Sequence, residues 1–169
     1  AQLPRVLDLL VEDNDGLSFL GLGALTEVEG HARIGRNGAL TTLAGLGSLT
    51  SVGDLLSIHD NDALTSLSGL GALGSVGDVL IITSNGQLVS LTGLEGLRTI
   101  GDLFLGYDGG SPPGSSTSDP GNTALVDVTA LYGLEAVRNV RIHNNTALTN
   151  AAAQALADAQ PSAPRTPLS

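Results

Sequence analysis

Three aspartates, Asp54, Asp78 and Asp102, recur at one step along the chain, each directly after a glycine. Carboxylates about 5–10 Å apart are what glycoside hydrolysis needs, one as acid and one as base or nucleophile. Their identical setting at a repeated turn favours backbone capping or turn formation instead. The tripeptide DND occurs at 13–15 and again at 60–62, and its carboxylates would suit calcium. Calcium wants six to eight converging oxygens, however, and the intervening copy offers Arg36 and Gly38 at those positions. His59 and His143 occupy equivalent places, but three copies of a repeat separate them, about 14 Å at strand spacing and too far to share zinc. His31 lies at a different corner. With no Ser/His/Asp constellation, no phosphate-cradling loop and no cysteine, the expectation is a protein without catalysis, metal or cofactor.

The elements that hold these residues repeat. Asn14, Asn37, Asn61 and Asn85 follow one another at steps of 23, 24 and 24 residues. Each is followed three residues later by a leucine: Leu17, Leu40, Leu64 and Leu88. Further apolar residues come at intervals of about three, as in Leu67, Leu70, Leu73 and Val76. A period in the twenties is the signature of a solenoid. The fifth copy places Asp108 where the asparagine belongs, then resumes with Asn122 in the same relation to Leu125. The Pro/Gly/Ser-rich stretch at 109–121 between them reads as an inserted loop. The sixth copy brings Asn145 and runs into an alanine-rich segment, expected to be a capping helix over about 150–159. Residues 161–169 are proline-rich and expected to form a flexible tail.

Within each copy the pattern xLxIxxN alternates as a short half-buried strand does. Inward positions are Leu9 and Val11, Ala32 and Ile34, Leu56 and Ile58, Leu80 and Ile82, Leu103 and Leu105, Val140 and Ile142. A helix through the leucines at 64–76 is disfavoured, because Gly69, Gly71 and Gly74 would each cost about 1 kcal/mol relative to alanine. The predicted fold is therefore mainly β: a single leucine-rich β-solenoid over 1–160, of about six rungs with short parallel strands. The asparagines Asn14, Asn37, Asn61, Asn85 and Asn145 form its structural ladder, amide against amide. A column of Gly21, Gly45, Gly69 and Gly93 implies close packing or a special torsion, the latter limited by Ala130 in the fifth copy.

Composition agrees with small identical layers. Of 169 residues 41% are hydrophobic, yet only two are Phe and two Tyr, so the core is built of Leu, Val, Ile and Ala. The formal net charge is −10 and the seven basic residues are all arginine, which disfavours nucleic acid. No apolar run approaches the ~18 residues of a membrane helix.

The phrase GDLLSIHDNDALTSLSGLGALGSVGD, residues 53–78, resembles the receptor L-domain family, the modules of insulin and epidermal growth factor receptors and of many bacterial and fungal surface proteins. The likeness covers about residues 6–150, and 151–160 resemble the family's terminal helix. The resemblance implies a right-handed solenoid with several short parallel sheets, presented outside a cell, that recognises a ligand without chemistry of its own. The chain departs from the family in lacking terminal cysteines, and no hormone-contact motif is present to carry over.

Recognition must then fall on the outward positions of the first strand. Ile81 and Phe104 face outward on adjacent copies, with Tyr107 just beyond and Arg141 on the next; aromatic, aliphatic and Arg groups together mark interface centres. These four are the expected site for a protein or glycan ligand, unless the 109–121 loop folds down over them. The alternative is a structural or self-assembling surface element. Ice binding is a poor variant of it, because Val89 and Val126 interrupt the threonine column of Thr41, Thr65 and Thr149.

Overall fold

In the computed structural model, which describes residues 4–106 and 121–159, the alternating stretches become strands. In chain order these are β1 (Arg5–Val6), β2 (Leu9–Glu12), β3 (Glu27–Val28), β4 (Ala32–Gly35), β5 (Ser51–Val52), β6 (Leu55–His59), β7 (Ser75–Thr83), β8 (Thr99–Leu105) and β9 (Asn139–Ile142). One helix, α1 (Asn150–Ala159), follows them. Every pairing is parallel, and it joins equivalent positions of successive copies.

Two columns result. In the first, β2, β4, β6, β7, β8 and β9 lie side by side, so that Leu9, Ala32, Leu56, Leu80, Leu103 and Val140 follow in register. The second stacks Val6, Val28, Val52, Val76 and Ile100 on the short strands β1, β3 and β5 and the first halves of β7 and β8. A one-pair contact between Ser90 and Asp127 touches the third side. The molecule is a mainly β solenoid, as the sequence predicts. Its count of about four turns is slightly lower than the six rungs expected. The six-strand column bounds five intervals, and the last of these contains residues 107–120, outside the described part.

The three-residue spacing of the leucines has a local cause. Leu64 donates its backbone N–H to Asn61, Leu70 to Leu67 and Leu73 to Leu70, so the chain turns inward at every third residue without forming a helix. Leu64, Leu67, Leu70 and Leu73 are all fully buried, as are Leu40, Leu43, Leu46 and Leu49 below them and Leu88, Leu91, Leu94 and Leu97 above. Burying a leucine contributes roughly 1.5–3 kcal/mol, so each coil is held by its own small apolar layer.

The glycine column divides in two. Gly69 and Gly93 take φ of +113° and +110°, where an L side chain is strained. In the second and fifth copies the chain instead makes 3-10 turns at Ala44–Leu46 and Thr129–Leu131 with ordinary torsions, which is why Ala130 is accepted there. Gly77 is needed for closeness: a Cβ there would strike the carbonyl of Gly53 one coil below.

The helix lies where expected, and its Leu156 is fully buried against the last coil with Leu148 and Ala152 packed beside it. The opposite end has no such cover among the described residues: Val6, Leu9, Leu20 and Leu22 are only half-buried, and Leu7, Leu10 and Phe19 are exposed. Of the expected 109–121 loop only Gly121 is described, and the 161–169 tail lies outside the described residues.

Candidate recognition surface

The asparagine ladder sets the corner where the outer face begins. Directly before each ladder asparagine one residue adopts a left-handed torsion, namely Asp13, Arg36, Asp60, Ser84, Gly121 and Asn144, with φ from +52° to +71°. The asparagine that follows is thereby turned inward. Asn61 then donates from its backbone N–H and its Nδ2 to Oδ1 of Asn85 at 3.1 and 3.3 Å, and from Nδ2 to the carbonyls of Ile34 and His59 at 3.0 Å. Asn37, Asn61, Asn85 and Asn122 are fully buried. Buried amides persist only when their polar atoms are satisfied, and here the preceding and following coils do it.

The ladder has a member the sequence reading left out. Asn85 donates from its backbone N–H and its Nδ2 to Oδ1 of Asn122, both at 3.2 Å, and Asn122 donates in the same way to Asn145 at 3.2 and 3.0 Å. The ladder therefore runs Asn14, Asn37, Asn61, Asn85, Asn122, Asn145. Both Gly106 and Gly121 have positive φ, and a Cβ on either would strike the carbonyl of the next coil, at His143 and Asn144 respectively. Gly121 gives Asn122 the left-handed predecessor that the ladder position requires.

On the outer face, Ile81 lies beside Phe104 and Phe104 beside Arg141, so three of the four expected site residues are neighbours on consecutive coils. Tyr107 lies outside the described residues. The Arg141 guanidinium stands 4.9 Å from the centre of the Phe104 ring, a cation–π contact. Arg141 is exposed and Phe104 half-buried. Ile81 departs from the expected exposure: it is 5% exposed, although it is turned away from the inner apolar cluster. Ser57, His59, Thr83 and Ser84 around it are buried as well. Alternation along a strand fixes which way a side chain points but not whether something covers it, so the open part of this face is Phe104 and Arg141.

A second group of chemically active side chains occupies the same column nearer the first coil. Arg36 holds Asp13 through Nε and Nη2 at 2.6 and 3.0 Å and reaches Glu12 at 3.4 Å. Hydrogen bonding to Arg36 holds the Asp13 carboxyl below the usual carboxylate range, and the same bond raises Arg36. His59 places Nε2 3.3 Å from Glu12 and Nδ1 3.2 Å from Asp60. The sequence reading missed the Glu12–His59 contact. Its signal was the outward column Glu12, Gly35, His59, in which the middle residue has no side chain to intervene.

Two of the three aspartates of the repeated turn are held by one arginine. Asp78 and Asp102 share the guanidinium of Arg138 at 3.4 and 3.7 Å, and Asp102 also accepts from Asn139 Nδ2 at 2.9 Å. Asp127 accepts from the Thr129 backbone N–H and hydroxyl at 2.9 and 2.7 Å, which lowers its pKa. Among the described residues no group of three His, Asp or Glu side chains is placed to hold a metal ion. No helix among them is long and apolar enough to cross a membrane. In comparisons with known proteins, no family model, no curated protein and no solved structure matches this chain.

Proposed function

We propose that this protein is a non-catalytic recognition module at a cell surface or outside the cell, binding a protein or glycan through the outer face of the first strand column. Phe104 and Arg141 are its centre, with Tyr107 three residues beyond Phe104 in sequence. The observation that carries this reading is the Phe104–Arg141 pair: an aromatic ring and a guanidinium in contact on neighbouring strands. Such groups concentrate binding energy because each combines a large apolar surface with a directed polar or cationic contact. An acidic chain with a −10 charge that holds most of its other arginines in ion pairs leaves Arg141 as a local positive point. The resemblance to receptor L domains supports the compartment and the absence of chemistry.

The test is a screen against a glycan array and a library of secreted and surface proteins, followed by Phe104→Ala and Arg141→Ala. Loss of at least about 2 kcal/mol of binding in either variant, with an unchanged melting midpoint, is the expected result. Undiminished binding by both variants would remove the site.

A further inference from the structure

Each interior rung of the ladder needs a side chain that donates and accepts at once, which an amide does and a carboxylate does not. Asn85 accepts at Oδ1 from the backbone N–H and Nδ2 of Asn61 at 3.1 and 3.3 Å. It donates from Nδ2 to the carbonyls of Ile58 and Thr83 and to Oδ1 of Asn122, at 3.0, 2.9 and 3.2 Å. Asn37 accepts from Asn14 at 3.2 and 3.3 Å and donates from Nδ2 to the Val11 carbonyl at 2.8 Å and to Asn61 Oδ1 at 3.2 Å. These two asparagines alone in the chain are followed by glycine, Gly38 and Gly86, where the other rungs continue into Asp15, Asp62, Thr123 and Thr146. The fold does not ask for glycine there. Neither Gly38 nor Gly86 has a left-handed torsion, and a Cβ on either would meet nothing within 4 Å.

We propose that Asn37 and Asn85 are deamidation sites gated by the fold: silent while the ladder is intact, and converted irreversibly when the chain is open. The reaction needs only water. The deprotonated backbone nitrogen of the glycine attacks Cγ of the asparagine, the Cγ–Nδ2 bond breaks, and Nδ2 takes up a proton and leaves as ammonia. Water then opens the cyclic imide at either carbonyl, giving aspartate or its β-linked isomer, so the net change is amide plus water to acid plus ammonia. Glycine speeds the closure because no Cβ hinders its nitrogen. The folded chain blocks it. Asn37 and Asn85 are fully buried, their amides are held at both Nδ2 and Oδ1, and their own carbonyls are fixed in a turn by the N–H groups of Leu40 and Leu88 at 3.0 Å. The product cannot rejoin the ladder. A carboxylate at position 85 would face the oxygens of Ile58, Thr83 and Asn122 as a buried, unpaired charge. The β-linked isomer also lengthens the backbone by one carbon at the turn. An unfolding event that lasts long enough is thereby made permanent, and the working life of the protein becomes a matter of how long it stays open.

The test incubates the full chain at mildly alkaline pH, folded and in guanidinium chloride, and follows each asparagine by peptide mass spectrometry. In denaturant Asn37 and Asn85 should convert well ahead of Asn14, Asn61, Asn122 and Asn145. In the folded protein both should convert at least about a hundredfold more slowly, because only the small open fraction reacts. On dilution out of denaturant the converted molecules should stay unfolded or melt below the unconverted ones, and Asn85→Asp should reproduce that loss. The double variant Gly38→Ala, Gly86→Ala should melt no lower than the wild type and should keep the refolding yield that the wild type loses during incubation in denaturant. The proposal is overturned if folded and unfolded chains convert equally fast, or if Asn61 converts as fast as Asn85 in denaturant. It is equally overturned if converted chains or Asn85→Asp melt at the wild-type midpoint, or if the double alanine variant no longer folds, which would mean that the two glycines serve the fold.

Discussion

The imidazole of His59 lies where a Cβ of Gly35 would stand and carries Nε2 to within 3.3 Å of Glu12 Oε1, joining the first and third coils across the second. The contact exists because the middle position of that column has no side chain. Gly35→Ala should displace the ring and break the Glu12 contact at a cost of about 1–3 kcal/mol. In a His59→Ala background the same change should cost much less, and a double-mutant cycle by thermal or urea unfolding measures the difference. Additive effects would mean that the ring and the glycine are independent.

Ladder position should grade the loss of an asparagine. Asn61→Ala and Asn122→Ala each leave buried carbonyls and amides unpaired and should destabilise by about 1–3 kcal/mol. Asn14→Ala, at the exposed end, should cost less than either. Chemical denaturation of the three variants checks the ranking. Equal losses at Asn14 and Asn61 would contradict a ladder whose strength comes from burial.

Two glycines three residues apart should respond differently to alanine. A Cβ at Gly74 meets only an ordinary contact with the Thr50 carbonyl at 3.7 Å, whereas at Gly77 it runs into the backbone of Gly53. Gly74→Ala should be close to neutral, and Gly77→Ala should lose about 1–3 kcal/mol. Comparing their unfolding midpoints is sufficient.

Acid should weaken the first coil. Asp13 has its carboxyl held below the ordinary value of 3.8 by Arg36. A group depressed in the folded state contributes stability that is fully present above its unfolded value and is lost as pH falls through the folded one. The gap in melting midpoint between the wild type and Asp13→Asn should therefore be constant above about pH 5 and close progressively below about pH 4. Asp127, lowered by the Thr129 N–H and hydroxyl, should add loss in the same direction. A gap that widened on acidification would show the sign to be wrong.

Much of the fold was legible because a solenoid writes its geometry into spacing. The asparagine step, the leucines three apart and the strand alternation gave the ladder, the inward residues and the helix at 150–159 without reference to contacts. What stayed hidden involved choices that spacing leaves open. Asp108 and Asn122 were both in phase with the repeat, and only the hydrogen bonds from Asn85 decide between them. The mixed Gly/Ala column looked like one feature, whereas the chain solves that corner in two ways, by positive φ or by a 3-10 turn. For Ile81 the alternation along the strand gives the direction, while whether anything covers it is left open by the sequence. The Glu12–His59 contact depends on an empty place between two residues, and an absent side chain is easily passed over.

The Nδ2 hydrogen bond from Asn85 reaches an asparagine 37 residues ahead, against 24 from Asn61 to Asn85, yet the two lengths, 3.2 and 3.3 Å, barely differ. The ladder thus inspects only the amide and the left-handed residue before it and is indifferent to how much chain was spent arriving there. Such a corner is a graft point. A foreign segment could be spliced between Gly106 and Gly121, or at the matching corner of another coil, and the scaffold would display it without altering a single rung.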